Sequence, residues 1–301
     1  MKKRFLWTCT LFLFLTVVFA PNAAAYSQNP NLNWGATNIL EGIVPPPGVY
    51  LSSYIVGYNS DKFKDGPPGD HEINVLVYNP QLLWVSGNML PGGFKYGFQA
   101  QLPVQSYNLD SEFLAAGSGM IGDLVFGPFI GRTEQLGPDF LLHWFTELSL
   151  FAPIGDYDKR SAVNPSANFW TVEPYVAATL QMPHGVSLST RQHFTYNFKN
   201  DAVDLKAGTM WHFNFALSKT LDFIDPNLRL GAVGYYGKQL ERDEIDGKRD
   251  DDKEKEKVFG FGPGLHWMNK GVIYSLKAYF EDNVEYRPDG TRVVFRIITR
   301  F

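Results

Sequence analysis

Apolar and polar residues alternate along most of this chain. In GFKYGFQAQLPV (93–104) and MWHFNFALS (210–218), large apolar side chains occupy every second position, and polar or small residues occupy the others. Successive side chains of a β-strand point to opposite faces, so this period predicts strands with one apolar face and one polar face. The closing stretch TRVVFRIITRF (291–301) keeps the pattern up to Phe301, with arginines at 292, 296 and 300. Clusters of Gly, Pro, Asn and Asp divide these segments, which indicates an all-β antiparallel protein.

The connecting segments alternate between short and long in chain order. The short ones are 86–92, 133–139, 182–185, 221–226 and 269–271, and the long ones are 59–71, 107–121, 153–168, 200–207, 241–256 and 282–291. Outer-membrane barrels have this asymmetry, with short periplasmic turns and longer outer loops. We therefore predict a transmembrane antiparallel up-and-down β-barrel of about 12 strands with both termini periplasmic. A soluble periplasmic sandwich would also alternate, but it would rarely carry so many large apolar side chains on its outer face.

The first 25 residues have the pattern of a secretory signal peptide. Lys2, Lys3 and Arg4 precede an apolar run, and three alanines end at Ala25, where we expect cleavage. A membrane anchor is the alternative, but the apolar run is short for one. We assign residues 26–47 to a periplasmic segment and 48–301 to the barrel. A short helical pattern at 36–42, stopped by three prolines, suggests that this segment partly plugs the barrel.

Removal of the signal peptide changes the composition in two ways. The only cysteine, Cys9, is lost, which excludes a disulfide scaffold or a thiol enzyme. Without the three basic residues of the signal, 24 basic residues stand against 31 acidic ones, giving a formal charge of −7. An acidic exported protein is a poor candidate for binding nucleic acid. The segment 241–256 is dense in charges of both signs and is interpreted as a solvated, mobile loop.

If the apolar face of each strand meets lipid, the other face lines the lumen. This parity predicts a set of charged and histidine side chains directed inward: Lys95, His143, Glu147, Glu173, Arg191, His193, His212, Arg229, His266, Lys277, Glu281, Arg292, Arg296 and Arg300. Such a set either fills the interior with mutual ion pairs or forms a polar pathway that selects a solute. A barrel of about 12 strands is wider than the eight that side chains alone fill, which favours a pathway.

Enzyme and metal interpretations find little support. Ser189, His193 and Asn214 could face the same way on neighbouring strands as a nucleophile, base and orienting group, but no G-x-S-x-G elbow occurs. No H-E-x-x-H spacing is present, and we expect neither a metal nor a cofactor. A glycine-rich stretch at 260–267 lacks the following helix that a nucleotide site requires.

Several segments resemble one known family. They are NILEGIVPPPGVYLSSY (38–54), IGDLVFGPFIG (121–131), NFWTVEPYVAATL (168–180), HFTYNFKN (193–200), LRLGAVGYYGKQL (228–240), KEKVFGFGPGLHW (255–267) and NVEYRPDGTRVVFRIITRF (283–301). These are similar to the outer-membrane family named for the meta-pathway of phenol degradation. The resemblance implies a β-barrel in the outer membrane of a Gram-negative bacterium that helps small aromatic or hydrophobic compounds to enter the cell. It implies no site residue.

We therefore expect an outer-membrane channel for passive uptake of small, aromatic or hydrophobic solutes, through the lumen or a lateral opening. Its partners would be outer-membrane lipids, lipopolysaccharide, the solute and the assembly machinery, for which the terminal Phe301 resembles an insertion signal. Two alternatives stay open: a lipid-hydrolysing barrel enzyme, and a non-conducting surface barrel whose loops bind a partner.

Overall fold

A computed structural model describes residues 29–66, 69–111, 114–251 and 254–301. The predicted signal peptide, with its expected cleavage after Ala25, lies outside the described residues. Within the described ranges, no helix is both long and apolar enough to cross a membrane.

The regular secondary structure of the described chain is almost entirely β. Its strands are β1 Gly48–Lys64, β2 His71–Val85, β3 Lys95–Gln101, β4 Val104–Ser111, β5 Leu124–Gly137, β6 Phe140–Ala152, β7 Thr171–Gln181, β8 Val186–Asn197, β9 Leu205–Lys206, β10 Met210–Leu221, β11 Asp225–Gln239, β12 Glu244–Ile245, β13 Lys248–Arg249, β14 Lys257–Asn269, β15 Val272–Glu285 and β16 Arg287–Arg300. A single turn of 3₁₀-helix, Pro183–Gly185, joins β7 to β8. This confirms the all-β prediction.

The long strands close into one antiparallel barrel. Strand β1 pairs with β16 on one side and with β2 on the other, so the first and last strands close the wall. Strands β3 and β4 share one position beside β2, which gives a wall of 12 strands. The predicted strand number and antiparallel order are confirmed. Closure pairs the first strand with the last, so neither leaves an unpaired edge, which hydrocarbon does not tolerate.

The barrel is polar inside and apolar outside. Leu76, Leu148 and Leu217 are exposed on the outer surface, whereas Gln99, Glu147 and other polar residues of the same or neighbouring strands are buried. A soluble protein has the reverse arrangement, because its apolar side chains collect in the interior. The outer face of this barrel therefore suits lipid.

The wall is interrupted where β3 gives way to β4 at Leu102 and Pro103. β3 pairs with β5, but β4 pairs along its length only with β2 and joins Ile121 through a single bridge at Val104. The free edge of β4 is partly covered by segments 114–123 and 153–168, which pair with each other through Ala116 and Val163. The barrel wall is therefore hydrogen-bonded between neighbouring strands all round except beside β4, where these two segments lie against it.

Several connections differ from the sequence-based prediction, three of them in ways that change the wall or the loops. The predicted loop 282–291 belongs instead to β15 and β16, apart from Tyr286. The two strands meet in a tight turn at this residue, which has a φ of 54°. Pro288 and Gly290, which suggested a loop, lie in the part of β16 that pairs with β1 beside a register shift. The predicted loop 59–71 is shortened in the same way, since β1 continues to Lys64. Within 241–256, β12 and β13 form a short hairpin that joins β9 in a separate sheet, so that part is not irregular loop.

The helical pattern at 36–42 does not give a helix. Glu41 N donates to Asn38 O and Ile43 N donates to Leu40 O, so the backbone makes successive turns with three-residue spacing. Other groups of this segment bond to the barrel wall, and those contacts replace the bonds of a helix.

Candidate functional site

Residues 29–47 run through the lumen. At one end of the barrel, Asn29 Nδ2 donates to Glu256 Oε2 across 3.0 Å, next to the start of β14. At the other end, Arg300 Nη2 donates to Pro47 O across 2.6 Å, next to the start of β1. We call residues 29–47 the inner segment.

The inner segment is bonded to the wall along its length. Tyr279 OH donates to Gly35 O across 2.7 Å, and Asn38 Nδ2 donates to the same hydroxyl across 2.9 Å. Leu40 N donates to Ser189 Oγ across 3.2 Å. Irregular backbone inside a barrel needs such partners, because its peptide groups have no strand neighbours to satisfy them.

Apolar packing fixes the inner segment against one side of the wall. Ile39 is buried with Val233, Tyr235, Tyr279 and Val294, which lie on β11, β15 and β16. At Gly42 a Cβ atom would lie 2.3 Å from the backbone nitrogen of Thr179, so the segment approaches β7 more closely than any side chain allows. Free space remains beside the segment, along β1 to β6 and on to parts of β7, β8, β11 and β14 to β16.

That free space forms two neighbouring cavities. The first cavity, of about 240 Å³, lies beside residues 30–37 and the inner faces of β1, β2 and β4. The second cavity, of about 430 Å³, lies beside residues 39–46 and reaches His266 and Arg296. Tyr54, Gln81 and Arg191 line both cavities, so the two spaces meet at these side chains.

A buried triad stands next to the first cavity. Glu173 Oε1 lies 2.8 Å from His193 Nδ1, and Glu173 Oε2 lies 3.2 Å from His212 Nε2. A carboxylate only accepts hydrogen bonds, so both imidazoles donate to it. The triad consists of residues of β7, β8 and β10 and ties these three strands together inside the wall.

The triad belongs to a ladder of rings around the lumen. His193 and His212 are stacked with centroids 4.3 Å apart and an interplanar angle of 10°. Tyr175 continues the ladder from His193 at 4.8 Å, and Trp34 of the inner segment continues it from His212 at 5.1 Å. The ladder joins the wall to the inner segment through ring contacts.

Glu173, His193 and His212 also offer ligand atoms within 4.8 Å of one another, which is the donor set of many zinc sites. An imidazole coordinates along a lone pair in its ring plane. Two rings stacked at 10° cannot both direct lone pairs at one ion between them without turning. The observed geometry suits two hydrogen bonds to one carboxylate better than coordination.

The side chains predicted to face the lumen are spread along its whole length. Lys95, Arg191, Lys277, Arg296 and Arg300 contact the inner segment. Glu147, Glu173, His193, Arg229, His266 and Arg292 line one of the two cavities. Glu281 accepts hydrogen bonds from Tyr58 and Tyr235, and His143 bonds Thr133 and Gln181. The structure brings together Glu173, His193 and His212; the others make separate contacts.

The set Ser189, His193 and Asn214 is not assembled as a catalytic triad. Ser189 bonds Leu40 N and Thr179, His193 bonds Glu173, and Asn214 bonds Gly35 N. Ser189 and His193 lie four residues apart on β8, which corresponds to roughly 13 Å along a strand. Phe301 lies at the barrel rim, 77% exposed, with its backbone N–H bonded to Val49 O.

Two groups of lumen residues were not singled out from the sequence. The first is a row of tyrosines, of which Tyr54 and Tyr58 lie on β1 and line the first cavity. Their spacing of four residues places both side chains on one face of β1 and can be seen in the sequence. The predicted set of lumen residues, however, contains only charged residues and histidines. The second is Glu41, which pairs with Arg296 and lies in a segment without strand periodicity.

Comparison with one solved structure supports the barrel fold. The structure is similar to the COG4313 outer membrane channel from Pseudomonas putida F1, with a TM-score of 0.73, 19% identity, and coverage of 86% of this chain and 97% of that one. A weaker similarity, with a TM-score of 0.49 and 9% identity, relates it to the β domain of the Bordetella autotransporter BrkA, covering 85% of this chain and 100% of that one. No curated protein matches the chain.

A family model covers most of the barrel. The model described as "Putative MetA-pathway of phenol degradation" matches residues 52–297, from β1 to near the end of β16. This agrees with the resemblance of the motifs quoted above. The chain therefore belongs to this phenol-degradation family.

Proposed function

We propose that this protein is an outer-membrane channel for small aromatic or hydrophobic compounds, and that the inner segment narrows its lumen. The observation that carries the proposal is the pair of cavities that meet at Tyr54, Gln81 and Arg191. Together the two cavities form a path beside the inner segment, in place of an open pore.

The lining of the cavities suits amphipathic solutes. The second cavity is bordered by Leu83, Phe129 and Phe145 as well as by polar side chains. Ligand sites typically combine mostly apolar walls with a few placed polar groups. A solute with an aromatic ring and one polar substituent fits this combination better than a sugar does.

We propose two exits for such a solute, the second of which requires the segments that cover β4 to move aside. One follows the lumen past the inner segment, and the other leads through the wall at the free edge of β4, where Pro103 and Gln105 border the first cavity. Membership of a family named for phenol degradation agrees with an aromatic solute. Catalysis is not part of the proposal, since Ser189 and His193 have other partners.

Ion current through single proteins in planar bilayers tests the proposal. We expect a small conductance that phenol interrupts and that ribose, at the same concentration, leaves unchanged. Heat-modifiable migration on gels establishes that the protein used is folded. A folded protein that carries no current and responds to neither solute would refute the channel function.

A further inference from the structure

The first cavity contains two arginines, Arg191 and Arg292, that have no ion-pair partner in the described part of the chain. Neither guanidinium lies within the 4.0 Å that defines an ion pair with a carboxylate. Arg296, four residues further along β16 on the same face, is by contrast paired with Glu41. An arginine inside a barrel is costly unless it meets an opposite charge or water.

Arg191 is held in place but only partly used. Its Nη1 donates to Thr37 Oγ1 across 3.1 Å, and its guanidinium lies 3.9 Å above the ring of Tyr175. Its Nε is buried and has no hydrogen-bond partner among the described residues. Tyr175 OH donates to Glu147, so this nearest carboxylate is engaged by the tyrosine.

Arg292 has a similar environment. Its guanidinium lies 4.8 Å from the ring of Tyr58 and 5.9 Å from that of Tyr235, and its Nε is also buried without a partner. The carboxylate nearby, Glu281, accepts hydrogen bonds from the hydroxyls of both tyrosines. The tyrosines therefore take up the carboxylate and leave Arg292 without an ion-pair partner among the described residues.

The remaining wall of the first cavity accommodates an apolar ring. Val56, Val75, Val77, Val125 and Phe151 line it together with Tyr54. An apolar cavity of about 150 Å³ is known to hold benzene. A cavity of about 240 Å³ therefore has room for one aromatic ring and a small substituent.

We propose that the lumen carries small aromatic carboxylates of the benzoate class, whose carboxylate is bound in turn by Arg292 and Arg191. The ring lies against the valines of β1 and β2, and the carboxylate accepts charge-assisted hydrogen bonds from the free guanidinium N–H groups. Arg191 lines both cavities, so a solute that passes between them meets this side chain. This inference rests on the proposed channel function and specifies its substrate.

Titration calorimetry with the full-length barrel in detergent tests the two binding positions. The probes are sodium benzoate and benzamide, which have the same shape but differ in charge. We expect the wild type to bind benzoate at least roughly tenfold more tightly than benzamide, since a hydrogen bond to a charged group is worth about that factor or more. Arg191→Gln and Arg292→Gln should each reduce this preference, and Arg191→Lys should restore part of it.

Arg132→Gln is the matched control, because Arg132 pairs with Glu134 away from both cavities. It should keep the preference of the wild type. Equal binding of the two probes by the wild type, or a preference that survives both lumen substitutions, overturns the inference. A variant that fails the heat-modifiability check is replaced by the corresponding lysine variant.

Planar-bilayer recordings separate this inference from the channel proposal. Ion current that benzoate and benzamide block equally would refute the arginine positions while the channel stands. Preferential benzoate binding by a folded protein that carries no current would refute the channel while the binding positions stand.

Discussion

Glu41 of the inner segment accepts a hydrogen bond from Arg296 Nη1 across 2.5 Å, although 255 residues separate them in the chain. Arg296 is further held by Ser52 Oγ, at 2.8 Å from its Nε, and by the ring of Tyr54, at 4.7 Å. Both charged side chains are only 12% exposed. A buried pair of this kind makes the position of the inner segment depend on the last strand of the barrel.

Glu41→Gln should loosen the inner segment. The substitution leaves Arg296 buried without a counter-charge, which typically costs about 3–5 kcal/mol. Movement of the segment is one way to relieve that cost, and it would widen the second cavity, which both residues line. We expect a larger and noisier single-channel conductance in planar bilayers.

Glu285→Gln serves as the control for this substitution. Glu285 pairs with Lys257 between neighbouring barrel strands, and it does not contact the inner segment. Its conductance should match that of the wild type. Identical recordings from Glu41→Gln and the wild type would show that the ion pair does not hold the segment.

Gly42→Ala should displace the inner segment by steric overlap. The added Cβ would lie 2.3 Å from Thr179 N and 2.5 Å from Ala178 C, both in backbone that cannot turn aside. Overpacking of this kind costs about 1–3 kcal/mol. We expect a glutamate-specific protease to cut after Glu41 in this variant and much more slowly in the wild type, as followed by mass spectrometry.

The matched control for Gly42→Ala is Gly87→Ala, where a Cβ would meet no atom within 4 Å. Cleavage after Glu41 should then stay at the wild-type rate. If Gly42→Ala also resists cleavage there, the close approach to β7 is not what fixes the segment.

Glu173→Gln should destabilise the wall. A carboxamide has one oxygen and one NH₂ group, so it can accept from only one of the two rings. The other ring has to change tautomer to accept from the NH₂ group, which makes its second, buried nitrogen an N–H with no partner among the described residues. An unsatisfied buried donor costs roughly 1–3 kcal/mol. We expect unfolding at a lower urea concentration, measured by loss of the heat-modifiable band.

Glu244→Gln provides the reference for that measurement, because Glu244 lies exposed in the short hairpin of β12 and β13. Its urea midpoint should stay close to that of the wild type. A midpoint for Glu173→Gln no lower than this reference would mean that the triad contributes little to stability.

Strand periodicity alone predicts the barrel wall because each strand repeats the same two-residue pattern. In β16, alternation reaches Arg300, and the strand ends there in the structure. The same alternation predicts that Glu173, His193 and His212 each face the lumen. It does not predict that they contact one another, since that depends on the register of β8 and β10, in which His193 lies opposite His212.

The course of the inner segment could not be predicted from local pattern. Its sequence lacks a strand period, and its partners are remote: Gly42 bonds Thr179, 137 residues away, and Glu41 bonds Arg296. The error at 282–291 has a different cause. Pro288 and Gly290 are turn formers by composition, but pairing with β1 overrides that preference, as tertiary context often does.

The brace beside the free edge of β4 should depend on pH. Asp156 Oδ2 accepts hydrogen bonds from Ile121 N at 2.9 Å and Met120 N at 2.8 Å, which joins segment 153–168 to segment 114–123. These N–H groups lower the pKa of Asp156 below its usual value. The brace is therefore complete above the ordinary aspartate pKa of about 3.9 and is lost as the pH falls through the lowered value in the folded protein.

Pepsin, which is active in acid, can measure this loss as cleavage within 114–123 and 153–168. Wild-type cleavage should rise steeply below about pH 4, whereas Asp156→Ala, which has no side-chain acceptor, should be cleaved readily and with little pH dependence of its own. Asp201→Ala, in the exposed connection between β8 and β9, corrects for the pH dependence of the protease and should follow the wild type. If Asp156→Ala and Asp201→Ala gave the same profile, Asp156 would not be the group that holds the two segments over the interrupted wall.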